Sequence, residues 1–157
     1  MMRKFTTTLL FCFLSILGLS QYKSTKLKMA ESLLEEGKKF AALKIYEDIA
    51  KNQGDNTEVY LKIAELNEQL FNYNEAAKWY YELFEIQKGV FPKSEFKFAE
   101  IQMILGNYEL ALKHFINFNK TYTGYDKVLY KKLCKNHIQS CELSLKSIQN
   151  SEISIKR

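Results

Sequence analysis

A short pattern recurs along this chain at a nearly constant interval, and it restricts the possible folds more than any other feature. The pattern is an apolar residue, Lys, a second apolar residue, Ala and Glu, and it occupies residues 27–31, 61–65 and 96–100. Its alanines, Ala30, Ala64 and Ala99, are 34 and 35 residues apart. Repetition with a period of this length is typical of chains in which one supersecondary unit stacks on the next.

A second pattern with the same period lies between the copies of the first. A small residue is followed four positions later by an aromatic residue and three positions after that by an apolar one, which is the spacing of one buried stripe on a helix. The three copies are Ala42, Tyr46 and Ile49; Ala76, Tyr80 and Leu83; and Ala111, Phe115 and Phe118. Because the 157 residues include only one Pro and six Gly, little interrupts these helices. The patterns predict an all-α chain with two helices in each unit.

Together the two patterns resemble those of the tetratricopeptide repeat (TPR) family from about residue 23 to residue 122. The likeness is strong over residues 106–111, which read Gly-Asn-Tyr-Glu-Leu-Ala. It implies a right-handed helical solenoid of helix-turn-helix repeats at about 23–56, 57–91 and 92–125. A C-terminal capping helix is expected at 126–147 and a flexible tail at 148–157. Phe71 departs from the family, which usually has Gly at that position.

Residues 1–20 differ in kind from the rest of the chain. Arg3 and Lys4 precede an apolar run at residues 9–19, and Gly18 and Ser20 are small residues two positions apart. A run of about 11 residues suits a signal peptide, whereas a spanning helix needs about 20. We therefore expect a signal peptide cleaved before Gln21 and an exported protein. A retained N-terminal anchor is the alternative, and the bulky Phe11 argues against a lipoprotein attached at Cys12.

The remaining residues exclude several classes of function. Removing residues 1–20 takes away two positive charges and lowers the net charge from +5 to +3, which is too little for a nucleic-acid partner. His114 and His137 have no neighbours at metal-ligand spacing, and no phosphate-binding loop or nucleophilic Ser motif is present in the sequence. Cys134 and Cys141 would lie about 10 Å apart along one helix, too far for a disulfide. We expect two buried thiols, no enzyme activity, no cofactor, no metal and no small-molecule substrate.

The TPR resemblance implies where a partner binds, because the first helix of each unit lines the concave side of these solenoids. Glu stands where the family's carboxylate clamp has Asn, and an apolar residue stands where the clamp has Lys. We therefore expect a basic or apolar segment of a protein partner rather than a terminal carboxylate. The alternative is a solvated face stabilised by Lys–Glu pairs three residues apart, each worth about 0.2–0.5 kcal/mol. The candidate residues form an apolar row (Leu27, Leu61, Phe96), an acidic row (Glu31, Glu65, Glu100) and a third set one turn further on (Leu34, Glu68, Met103).

Residues 73–84 and 140–145 are also similar to the N-terminal TPR region of Bacteroidetes envelope proteins of the OmpA family and type IX secretion. This resemblance implies a scaffold in the periplasm or on the periplasmic side of the outer membrane, with only indirect membrane association. The propeller and OmpA-like regions of those proteins have no counterpart in the sequence up to Arg157. A chaperone-like carrier of apolar or basic client segments is the first alternative. A truncated remnant of a larger TPR/propeller/OmpA-like protein is the second.

Overall fold

The structure is a computed structural model that describes residues 25–53, 56–86 and 91–155. All regular secondary structure in these ranges is α-helical, which confirms the predicted all-α, TPR-like solenoid class. The expected signal peptide at 1–20 lies outside the described residues. The helices are α1 (25–35), α2 (Lys39–Gln53), α3 (Thr57–Gln69), α4 (Tyr73–Ile86), α5 (Lys93–Ile104), α6 (Tyr108–Thr121) and α7 (Lys127–Ile155).

The positions that repeat in the sequence are the positions that the structure buries. All six repeat alanines are 0% exposed, and the aromatic and apolar residues of the second pattern are at most 2% exposed. A larger side chain at any of the alanines would displace its neighbours, because protein interiors are close-packed. The buried alanines are Ala30, Ala42, Ala64, Ala76, Ala99 and Ala111.

The chain forms two compact units that divide within α3, after Lys62. The first contains α1, α2 and the start of α3. Its buried apolar side chains are Ala30, Ala42, Leu43, Tyr46, Ile49 and Val59. An ion pair links its first two helices, since the ammonium of Lys26 donates to the carboxylate of Asp48. That hydrogen bond lowers the pKa of Asp48 below its ordinary value.

In the second unit, α4, α5, α6 and α7 pack each on the next along the chain. One apolar cluster joins the last three of these helices. Both predicted thiols are free and fully buried in it, as expected. The cluster consists of Phe96, Ala99, Ala111, Phe115, Phe118, Cys134 and Cys141.

Helix α7 is longer than the sequence suggested. It continues to Ile155 rather than ending near Ser147, so most of the expected tail at 148–157 is helical. No Gly or Pro follows Gly124 in the sequence, and Leu145 and Ile148 continue the face that carries Cys134 and Cys141. No described helix, α7 included, combines the length and apolar character that crossing a bilayer requires.

The turn inside each repeat has the same backbone conformation in all three copies. The second residue after the first helix has a positive φ, 76° at Gly37, 61° at Phe71 and 80° at Gly106. The following N–H donates to a carbonyl five residues back, which together with the positive φ is the Schellman motif. These bonds run from Lys38 to Leu33, from Asn72 to Asn67 and from Asn107 to Gln102, at 2.8, 2.8 and 2.9 Å. Phe71 therefore takes the glycine conformation although it carries a side chain.

We predict opposite stability changes at two of these equivalent turns. Gly106→Ala should lower the free energy of unfolding by about 1 kcal/mol, since a side chain in the left-handed region is strained. A Cβ at this position would meet nothing within 4 Å, so the loss is one of backbone conformation alone. Phe71→Gly should raise it by about 0.5 kcal/mol, because the relieved strain exceeds the added freedom of the unfolded chain. Urea unfolding measures both, and a loss of stability in Phe71→Gly contradicts the assignment of strain.

Candidate protein-binding site

Phe96, predicted to lie exposed in the apolar row, is a core residue. It is 3% exposed, and its ring centroid lies 5.4 Å from those of Phe115 and Phe118 on α6. Helix α7 covers its remaining side with Tyr130 and His137, whose centroids are 4.9 and 5.7 Å away. The prediction of an exposed ring is wrong because the closing helix supplies the apolar neighbours that a partner would otherwise provide.

The other predicted apolar positions are only partly accessible. Met103 packs against the same core cluster as Phe96. In the first unit, Leu27, Leu34 and Leu61 are half-buried, while Glu31 is exposed. Their contact with a partner stays a prediction.

The predicted acidic residues of the second unit do come together, in a network that spans α3, α5 and α7. Lys97 lies between two carboxylates, with its Nζ 3.2 Å from Glu68 Oε1 and 3.1 Å from Glu100 Oε2. The other oxygen of Glu68 accepts a hydrogen bond from the hydroxyl of Tyr80 at 2.7 Å. The other oxygen of Glu100 lies 3.5 Å from Nε2 of His137. We call Glu68, Lys97 and Glu100 with these two partners the acidic network.

The acidic network carries more negative than positive charge. Partial burial alone would lower the pKa of Lys97, but the carboxylates of Glu100 and Glu68 outweigh it and raise the pKa. Burial, and then the hydrogen bond to Glu68, raise the pKa of Tyr80, to which the charges of Glu65 and Glu100 also contribute. Three carboxylates, those of Glu65, Glu68 and Glu100, therefore act on this region, and Lys97 pairs with two of them. The carboxylates are only partly buried, so a cation arriving from solvent can reach them.

Sequence reasoning found the carboxylates and the Lys97–Glu100 pair but missed what surrounds them. The bond from Lys97 to Glu68 joins adjacent repeats. The one sequence signal for it is that α3 and α5 occupy equivalent positions in successive repeats. Tyr80 was assigned to the core, which is correct for its ring, since it is 1% exposed. Its hydroxyl nevertheless reaches the surface network.

Cys134 and His114 are of residue types that can act as a nucleophile or a metal ligand, and their contacts in the structure are with the core and with Glu95. Burial raises the pKa of Cys134 to about 11, so its thiol is a poor nucleophile at neutral pH. His114 Nδ1 lies 3.1 Å from Glu95 Oε1, an oxygen that also accepts from Asn117 at 2.8 Å. No group of three or more His, Cys, Asp or Glu side chains in that part is placed to hold a metal ion.

The solved structures that resemble this chain include three of PcrH. PcrH from Pseudomonas aeruginosa aligns with a TM-score of 0.60 at 16% identity, covering 78% of this chain and 92% of PcrH. PcrH in complex with the chaperone binding region of PopD aligns with a TM-score of 0.60 at 16% identity, covering 76% of this chain and 90% of PcrH. PcrH in complex with the chaperone binding region of PopB aligns with a TM-score of 0.53 at 16% identity, covering 79% of this chain and 94% of PcrH. At this identity the likeness shows a shared TPR-like helical fold. No protein family and no curated protein matches the sequence.

Proposed function

We propose that this chain is a non-catalytic, chaperone-like carrier that binds a basic or apolar segment of a partner protein. The observation that carries the proposal is the acidic network, in which Glu68 and Glu100 both pair with Lys97. Surface ion pairs of this kind contribute little to stability, about 0–1 kcal/mol each. A partner's Lys or Arg can therefore replace Lys97 at small cost to the fold.

The fold supports this proposal beyond the charges. PcrH, which shares it, is found with the chaperone binding regions of PopD and PopB. We infer a similar use of the fold here, with a different partner. The half-buried Leu27, Leu34 and Leu61, together with Glu31, stay candidate contacts of the first unit.

Export is a separate part of the proposal and rests on residues 1–20. In the periplasm the chain would hold envelope or secreted clients, which agrees with the sequence resemblance to type IX secretion and OmpA-family proteins. A dedicated envelope scaffold differs from a carrier in having one preferred partner. A truncated remnant would have none.

We predict that charge controls peptide binding in opposite directions at neighbouring residues. Fluorescence anisotropy with a labelled peptide of alternating Leu and Lys should show affinity about fivefold to tenfold lower in Glu68→Gln/Glu100→Gln, since two ion pairs are lost. Lys97→Gln should raise the affinity about twofold to fivefold, because the internal competitor is gone. Gln at position 68 can still accept the hydrogen bond of Tyr80, which spares the fold.

Glu82→Gln/Glu109→Gln is the matched control, because both carboxylates are exposed on α4 and α6 and outside the acidic network. It should bind the Leu/Lys peptide as the parent does, and a Leu/Glu peptide should bind the parent poorly. Weaker binding in Lys97→Gln would mean that the network only supports the fold. Similar affinity for scrambled Leu/Lys peptides supports a carrier, whereas strong preference for one order favours a scaffold.

Export has its own prediction. The chain recovered from the envelope fraction of its native cell should begin at Gln21 by mass spectrometry. Leu14→Asp/Leu17→Asp should leave the uncut chain in the cytoplasm, because it interrupts the apolar run that targeting requires. The same two Asp substitutions at Gln149 and Asn150 should have no such effect. If the parent chain is found uncut in the cytoplasm, export is contradicted, but the peptide-binding proposal is not affected.

A further inference from the structure

The turn between α6 and α7, together with the first residues of α7, presents apolar side chains to solvent beside a row of lysines. Tyr125 is 97% exposed, Val128 76% and Leu129 54%. Lys127 lies between them in the sequence and is also exposed. Side chains of this size placed together on a surface mark a contact more often than isolated ones do.

The lysines continue along the outer face of α7. Val128, Lys131, Lys132 and Lys135 are spaced i, i+3, i+4 and i+7 and so share one face, while Cys134 and Cys141 lie buried on the other. None of the four lysines from Lys127 to Lys135 takes part in an ion pair within the described part of the chain. From residue 110 to 141 the sequence contains six lysines and one acid, Asp126.

That single acid is already engaged. Lys93 Nζ lies 2.6 Å from Asp126 Oδ2, and the hydroxyl of Tyr122 donates to Oδ1 at 2.5 Å. The ammonium of Lys93 also lies 5.4 Å from the ring centroid of Tyr125 and 5.0 Å from that of Tyr130. These contacts fix the turn and leave the positive charge of the α7 lysines uncompensated.

We propose that Lys127, Lys131, Lys132 and Lys135, with Tyr125, Val128 and Leu129, form a basic tip that binds an anionic bilayer. The lysines contact acidic headgroups, and the apolar side chains enter the interface between headgroups and acyl chains. An acidic protein would match the lysines, but a bilayer also accounts for the three exposed apolar side chains beside them. The inference is independent of peptide binding and departs from the sequence expectation that membrane association is only indirect.

Vesicle cosedimentation with the full chain tests the basic tip. The parent should bind vesicles of phosphatidylcholine mixed with phosphatidylglycerol, with affinity falling as salt rises. Lys127→Gln/Lys131→Gln/Lys132→Gln should weaken this binding about a hundredfold, at about fivefold for each lysine near an anionic surface. Val128→Asn/Leu129→Asn should weaken it about tenfold.

Lys28→Gln/Lys39→Gln/Lys51→Gln is the matched control, since it removes the same charge from exposed positions of the first unit. Residues 1–20 are identical in all variants, so any difference between them reports the substituted positions. The proposal is overturned if this control loses as much vesicle affinity as Lys127→Gln/Lys131→Gln/Lys132→Gln does. A second result would also overturn the proposal: Val128→Asn/Leu129→Asn binds vesicles as the parent does, and soluble polyglutamate competes with the vesicles for the parent chain. That result would favour an acidic protein partner.

Discussion

The burial of Phe96 beneath α7 is the contact on which the rest of the second unit depends. A single ring on α5 touches rings from both α6 and α7, so it ties three successive helices together. Full burial of a Phe side chain contributes about 1.5–3 kcal/mol, and the surrounding aromatic pairs add to it. Each unit of a repeat protein buries its apolar face only against its neighbours, so the apolar face of α5 and α6 needs cover. Helix α7 provides that cover.

This packing decides which part of α5 is left for a partner. With Phe96 covered, the accessible side chains of the helix include Lys97 and Glu100, which belong to the acidic network. The second unit therefore offers charge rather than an aromatic surface at the predicted positions. A basic segment fits that chemistry, and in the proposed function Lys97 competes with it for Glu68 and Glu100.

The sequence predicted the repeat and its buried positions well because both depend on spacing alone. Ala64, Ala99 and Ala111 recur at the period of the fold, and each is fully buried. The fate of Phe96 could not be predicted in the same way, since it depends on where α7 docks, and α7 matches the repeat only weakly. Phe71 shows a further limit, because the hydrogen bonds of the turn impose a positive φ that its side chain disfavours. Charge contacts between repeats, such as Lys97 with Glu68, depend on side-chain reach and leave no pattern in the sequence.

The position of α7 over Phe96 is the central claim, and thiol labelling tests it most directly. In a Cys12→Ser chain the remaining thiols are Cys134 and Cys141, both fully buried on the face of α7 that packs against α5 and α6. With a thiol reagent at neutral pH, we expect labelling of both only as fast as the second unit unfolds, and rapid labelling in urea. Labelling in native buffer at the rate of an exposed thiol would contradict the account, because α7 would then be undocked and Phe96 open to a partner.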